Sequence, residues 1–198
     1  MPEFASRDPL SPGFWDERFE RGFTPWDLNG VPAALRDFAA HTEGARTVLI
    51  PGCGNAWELG FLLDAGWDAT AIDFSPSAVR RARQLAGPWA SRVVEADFFT
   101  WQPPRPLNLI YERAFLCAMP PALWPRVAAR WAALLAPGGL LAGFFFLGRT
   151  LKGPPFDIDQ AELDALLAPH FELVEEGPVT DSLPVFVGQE RWMVWRRC

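Results

Sequence analysis

Cysteine is scarce in this chain. Cys53, Cys117 and Cys198 are the full set among 198 residues, and they are scattered. An odd, dispersed set argues against a disulfide framework and lacks the paired spacing of a zinc site. No metal is expected, and a reducing cytoplasm is the expected compartment. Long hydrophobic runs are also missing. The longest, residues 140–147, falls far short of the ~20 residues that span a bilayer, so it reads as a buried strand and no membrane partner is expected. The start, MPEFASRDPL, has no basic stretch leading into an apolar one, so no signal peptide is expected. No Lys/Arg-rich run exists, net charge is −6, and the isoelectric point is about 5.0. A nucleic-acid partner is therefore not expected. Histidine occurs twice, as His41 and His170, and both read as surface residues rather than bases.

What is present is a core-forming composition. Hydrophobic residues make up 49% and charged residues 21%, which is not the balance of a disordered chain. The length fits a single domain over residues 1–198, and no linker or repeat divides it. Ten Trp in so short a chain point to aromatic surfaces that do more than fill a core.

Short apolar runs alternate with amphipathic segments. Residues 47–50, 69–72, 92–95, 107–111 and 140–147 read as strands. Helices are expected over 56–65, over 76–85 behind Ser75 and Pro76, and over 121–135, ending at Pro137-Gly138-Gly139. Two further helices are expected near the front, over 12–21 and 32–40. Asp159 and Glu162 form a capping box for a helix reaching about Leu167. Residues 171–174 and 191–195 then read as strands with no helix between them. The expected fold is α/β: a doubly wound, mostly parallel seven-stranded sheet closed by an antiparallel C-terminal hairpin.

The stretch VLIPGCGNAWEL, residues 48–59, joins the first strand to a helix through a glycine turn. Such a unit binds a nucleotide-like ligand at the carboxyl end of a sheet. A dinucleotide fingerprint wants a third Gly where this chain has Trp57, and no Lys-Ser/Thr pair follows for a triphosphate loop. S-adenosylmethionine carries adenosine but no pyrophosphate, so the turn then needs only close backbone approach at Gly52 and Gly54. Asp73 lies nineteen residues after Gly54 at the end of the second strand, near the ~20 of a ribose-binding acid. Asp97 ends the third strand and is placed to accept from an adenine amino group, with Phe98 beside it to cover the ring. An Asp at a strand end also serves as a helix cap or a solvated turn residue. The ordered succession on consecutive strands is what favours the cofactor.

With those residues in view, the chain resembles the thiopurine S-methyltransferase family, and within it the small-thiol and halide methyltransferases. The carrying motifs are FWDERFERGFTPWD, VLIPGCGNAWEL, AIDFSPSAV, ADFF, YERAFLCAMPP and GPPF, and the resemblance covers nearly the whole chain, from Trp15 to Trp195. The wider superfamily usually has an acid two residues before the first turn Gly. Here Ile50 and Pro51 stand instead, in the Pro-x-Cys-Gly form of this family. The resemblance implies S-adenosylmethionine as cofactor, with the Gly52 carbonyl holding its ammonium. It implies that Trp15, Phe19 and Trp26 cover the cofactor as a lid spanning residues 1–28. Trp15 and Phe19 at i, i+4 share a helix face, which is equally the pattern of a stripe packed on the body. Glu112 and Arg113 in YERAF are implied beside the cofactor, Arg113 as the catalytic residue toward the acceptor. Trp26, Arg113 and Phe156 of GPPF are implied to line the acceptor pocket. Cys53 and Cys117 read as packing residues. The implied reaction is methyl transfer to a small thiol or similar soft anion (thiopurine-like, sulfide, thiocyanate or halide) by a monomer. The alternatives are a non-catalytic S-adenosylmethionine-binding domain and a nicotinamide-dependent oxidoreductase.

Overall fold

The structure is a computed structural model and describes residues 3–43, 46–148, 150 and 152–198. Seven strands form one sheet: β1 (Thr47–Pro51), β2 (Asp68–Asp73), β3 (Val93–Glu95), β4 (Leu107–Arg113), β5 (Leu135–Phe146), β6 (Phe171–Pro178) and β7 (Glu190–Arg197). Their order is β3-β2-β1-β4-β5-β7-β6. The first five run parallel, and β7 pairs antiparallel with both β5 and β6, which is the expected C-terminal hairpin. The chain steps outward from β1 to β3, then returns to place β4 on the other side of β1. That reversal opens a crevice at the carboxyl ends of β1, β2 and β4.

Side chains alternate across β1 and so divide the core into two layers. Val48 and Ile50 pack with Leu35 of α2 (Ala33–His41), Leu59 and Leu62 of α3 (Trp57–Asp64), and Val79 and Ala82 of α4 (Pro76–Ala86). Leu49 faces the other way, with Val127 and Trp131 of α5 (Trp124–Leu134) and Leu163 and Leu167 of α6 (Gln160–Leu167). α4 starts as its sequence dictates: Ser75 Oγ accepts the Ala78 N–H and Pro76 opens the helix. α6 starts on the complete Asp159–Glu162 capping box.

Three boundaries differ from expectation. The helix expected from residue 56 begins at Trp57, because Ala56 takes a left-handed conformation as the last residue of the turn. The helix expected from residue 121 is first a 3-10 turn, Pro121–Leu123, and becomes α-helical at Trp124. Pro137-Gly138-Gly139 is not a gap between helix and strand. It lies inside β5, which begins at Leu135 and is irregular where Leu107 and Leu109 of β4 pair with it. Gly138 is there at positive φ, and a Cβ on Gly139 would sit 2.8 Å from the Ala136 carbonyl oxygen. The helix expected over 12–21 is α1 (Pro12–Glu20), which packs beside α4.

Candidate active site

The turn after β1 is built from three left-handed residues, Gly52, Gly54 and Ala56. Gly52 is obligatory by contact as well as by φ, since a Cβ there would meet the Phe115 ring at 2.6 Å. The Phe115 ring fills the place of that side chain, and the Gly52 backbone itself forms part of the crevice wall. Asp73 ends β2 beside it. One carboxylate oxygen accepts the Gly54 N–H at 3.0 Å and the other accepts the Ser75 N–H at 2.9 Å. Asp73 is buried, and burial pushes its carboxyl up to about 6 against those stabilising N–H groups. Asp97 lies two residues beyond β3, exposed, with Oδ1 accepting the Phe99 N–H at 2.6 Å. Phe98 is buried against Phe115, ring centroids 4.9 Å apart.

Trp15, Phe19 and Trp26 form one aromatic group over this turn. Trp26 meets Trp15 edge to face at 5.5 Å and Phe19 at 6.1 Å. The Phe19 ring would lie 3.4 Å from a Cβ on Gly54, an ordinary contact, so it is the positive φ of Gly54 that favours glycine there. Met1 and Pro2 of the expected lid lie outside the described residues. Two carboxylates hold the segment down. Asp16 Oδ1 accepts from Ser75 Oγ at 2.7 Å and from the Ser77 N–H at 2.9 Å, tying α1 to the start of α4. Asp27 accepts from Trp57 Nε1 at 2.8 Å and from Asn55 Nδ2. Sequence reasoning missed both carboxylates. Trp57 was a signal of a kind: the bulky residue that replaces the third fingerprint glycine turns its indole N–H back to the lid.

The third wall is the end of β4. The Arg113 guanidinium lies 4.3 Å above the Phe144 ring, and its Nη1 is 3.4 Å from Glu190 Oε1. Glu190 in turn accepts from Ser182 Oγ at 3.0 Å. Arg113 Nη2 is buried and has no hydrogen-bond partner among the described residues. Sequence reasoning did not find Glu190, which is distant in sequence and acquires its role by strand pairing. Glu112 is not on the cavity wall with Arg113. It is 1% exposed, and its Oε1 accepts the N–H groups of Phe115 and Leu116, so it orders the loop after β4. Adjacent strand residues point to opposite faces, which separates the two side chains. Burial pushes the Glu112 carboxyl up to about 7. In the GPPF segment, Gly153, Pro154 and Pro155 line the cavity with Phe186. Phe156 packs toward the core instead and donates its N–H to the Cys117 carbonyl.

These walls enclose about 1280 Å³, lined by Trp15, Phe19, Trp26, Gly52, Gly54, Asp73, Asp97, Phe98 and Arg113 among others. That exceeds the ~300–1,000 Å³ of ordinary ligand pockets and leaves room for two small ligands together. Cys53 and Cys117 also line it, but burial pushes both thiols well up, so neither is a ready nucleophile. His41 and His170 are not on its wall. Among the described residues no cluster of His, Cys, Asp or Glu could hold a metal ion. No helix among them is long and apolar enough to cross a membrane.

A crevice at the strand-order reversal, a glycine turn without a phosphate cradle and an acid at the end of β2 define an S-adenosylmethionine-dependent methyltransferase of the doubly wound class. Solved structures share this fold. The 1,6-didemethyltoxoflavin-N1-methyltransferase of Burkholderia thailandensis, with bound S-adenosylhomocysteine, superposes with a TM-score of 0.73 at 22% identity, covering 99% of this chain and 93% of that one. The family model of thiopurine S-methyltransferase matches residues 10–197, and the chain belongs to that family. It is 31% identical over 166 residues to a probable thiol methyltransferase 2 of Arabidopsis thaliana, covering 80% of this chain and 73% of the relative. Thiocyanate methyltransferase 1 of the same plant is 28% identical over 194 residues, covering 93% and 85%.

The residues present fit S-adenosylmethionine. The turn offers bare backbone at Gly52, the buried Asp73 carboxylate faces the same cavity, and the aromatic cover suits a poorly hydrated cation by ~0.5–2 kcal/mol.

Proposed function

We propose that the chain transfers the methyl group of S-adenosylmethionine to a small thiol or similar soft anion. The observation that carries this reading is the Arg113 guanidinium on the wall of an aromatic cavity at the end of β4. A guanidinium fixed by Glu190 and Phe144 on that wall favours an anionic acceptor. Asp73 would hold the ribose, Asp97 the adenine amino group, and Phe98 the ring. The cofactor when bound supplies an activated methyl on a sulfonium with a good leaving group. What remains for the protein is alignment and exclusion of water. Trp15, Phe19 and Trp26 do the excluding, within a lid over residues 1–28 of a single 1–198 domain. Arg113, Trp26 and the prolines of GPPF would wall the acceptor. The thiol and thiocyanate relatives support this acceptor class. The reading includes a monomer acting on small molecules in the cytoplasm, with no nucleic-acid partner. The test is methyl transfer from S-adenosylmethionine to a panel of hydrosulfide, thiocyanate, iodide and aromatic thiols. Turnover of at least one, with saturation, is expected. Cofactor binding without any turnover would favour a non-catalytic domain.

A further inference from the structure

Phe186 stands on the loop between β6 and β7, residues 179–189, yet it is 5% exposed, between Val185 at 39% and Val187 at 62%. The backbone turns it inward. Its N–H donates to the Leu183 carbonyl at 2.8 Å, and its carbonyl accepts the Gln189 N–H at 2.8 Å. The loop is tied at two further points. Ser182 Oγ donates to Glu190 at 3.0 Å, and Asp181 Oδ2 accepts the N–H of Ala33, the first residue of α2, at 2.7 Å.

The Phe186 ring borders two spaces. It lines the main cavity with Trp26, Arg113 and Pro154. It also bounds a second void of about 10 Å³, the size of one water, with Phe144, Phe146 and Glu190. Arg113, Ala114, Cys117 and Phe186 border both spaces and so form the partition at this end of the cavity. Ala114 and Cys117 are small, and Arg113 is held by Glu190 and Phe144. The Phe186 ring is thus the one large apolar piece of the partition. Phe146 backs it, ring centroids 5.5 Å apart. Phe146 is itself closely packed, since a Cβ on Gly148 would overlap its ring. A satellite cluster under a loop explains why an apolar loop residue is buried. It does not explain a ring set into the cavity wall beside Arg113.

We propose that Phe186 is the specificity-determining residue of the acceptor end: its ring closes the cavity beside Arg113 and sets the largest acceptor that can present its nucleophile there. This rests on the methyltransferase reading of the site. A closely packed apolar wall discriminates by size, because a larger acceptor must displace a ring that Phe146 supports, whereas a smaller one leaves it in place. Removing the ring joins the void to the cavity and lengthens the acceptor space at this end.

The test compares kcat/KM for hydrosulfide, thiophenol and 2-naphthalenethiol in the parent and in Phe186→Ala, at saturating S-adenosylmethionine. The ratio for naphthalenethiol over thiophenol should rise about 10-fold or more in the variant, within the range over which apolar pockets discriminate by size, and hydrosulfide should gain nothing. Affinity for S-adenosylhomocysteine should stay within about threefold, because the ring borders the acceptor end and leaves the glycine turn intact. If the Ala variant fails to fold, Phe186→Leu carries the same comparison while keeping most of the packing, and its ratio should rise in the same direction. An unmoved ratio, or an equal loss for all three thiols, would overturn the proposal and leave Phe186 a packing residue of the loop. A parent that methylates the thiols while the variant's ratio stays unmoved overturns this proposal alone. A parent that methylates none of them overturns the thiol reading, and this proposal with it.

Discussion

At the residue scale, Asp73 is the acid proposed to hold the ribose of the cofactor. Its two oxygens already accept from Gly54 and Ser75, which fixes the carboxylate plane at the turn. Asp73→Ala should weaken S-adenosylhomocysteine binding by about 1.5–3 kcal/mol, the scale for a charged acceptor. Ribose hydroxyls need the ionised form, and the carboxyl is pushed up to about 6. Affinity of the parent should therefore hold above pH 7 and fall as pH drops through 6, as measured by titration at pH 5 and 7.5. A mutant equal to the parent, or a flat pH profile, would remove Asp73 from the site.

At the element scale, the lid is held by groups that also shape the cofactor turn. Asp27 grips Asn55 and Trp57, and Asp16 grips the start of α4. The contacts that hold the aromatic cover on the body therefore also hold the turn. Asp27→Ala frees the Trp57 indole N–H and should loosen residues 21–28 more than α1, which keeps its Asp16 anchor. Hydrogen exchange should show that loss of protection, partly restored by S-adenosylhomocysteine. Equal exchange in mutant and parent would mean that Asp27 is not a latch.

Across the whole molecule, several buried carboxyls share one sign of shift. Asp73 and Glu112 are raised to about 6 and about 7, and Glu58 and Glu190 are raised as well, each mainly by burial. A carboxyl raised on folding adds stability that is complete below its unfolded value and is lost as pH rises through its folded value. The ligand-free protein should thus be more stable at pH 5.5 than at pH 8, by about 3 kcal/mol from Asp73 and Glu112 together. Glu17 and Asp68 are lowered and titrate below this window, so they do not reverse the sign. Urea melts at the two pH values measure it, and equal midpoints would contradict it. Such a trend would mark a site whose charges await a ligand.

Much of this arrangement was legible in the sequence. Periodicity and breakers located the strands, because parallel strands here are short apolar runs with helices between them. Gly52, Gly54 and Asp73 were legible because a left-handed turn and a buried acid each demand a residue type. Glu112 and Phe156 both adjoin cavity residues: on β4 one step along the strand turns Glu112 to the other face, and in the loop Phe156 packs against the core while Pro154 and Pro155 line the cavity. Asp16, Asp27 and Glu190 were missed because their partners lie far along the chain, where tertiary contact and not local pattern gives an acid its role.

The central claim is that the Arg113 guanidinium on the cavity wall favours an anionic acceptor, and one variant tests it. Arg113→Met keeps the length and removes the charge. Cofactor Kd and kcat/KM for a thiol are measured on the same preparation. For the thiol, kcat/KM should fall roughly 100-fold or more, the loss of one electrostatic contact in a dry site, while Kd for the cofactor changes far less. A loss that appears first and mainly in cofactor Kd would assign Arg113 to the cofactor's carboxylate instead, and a variant unchanged in both would contradict the claim.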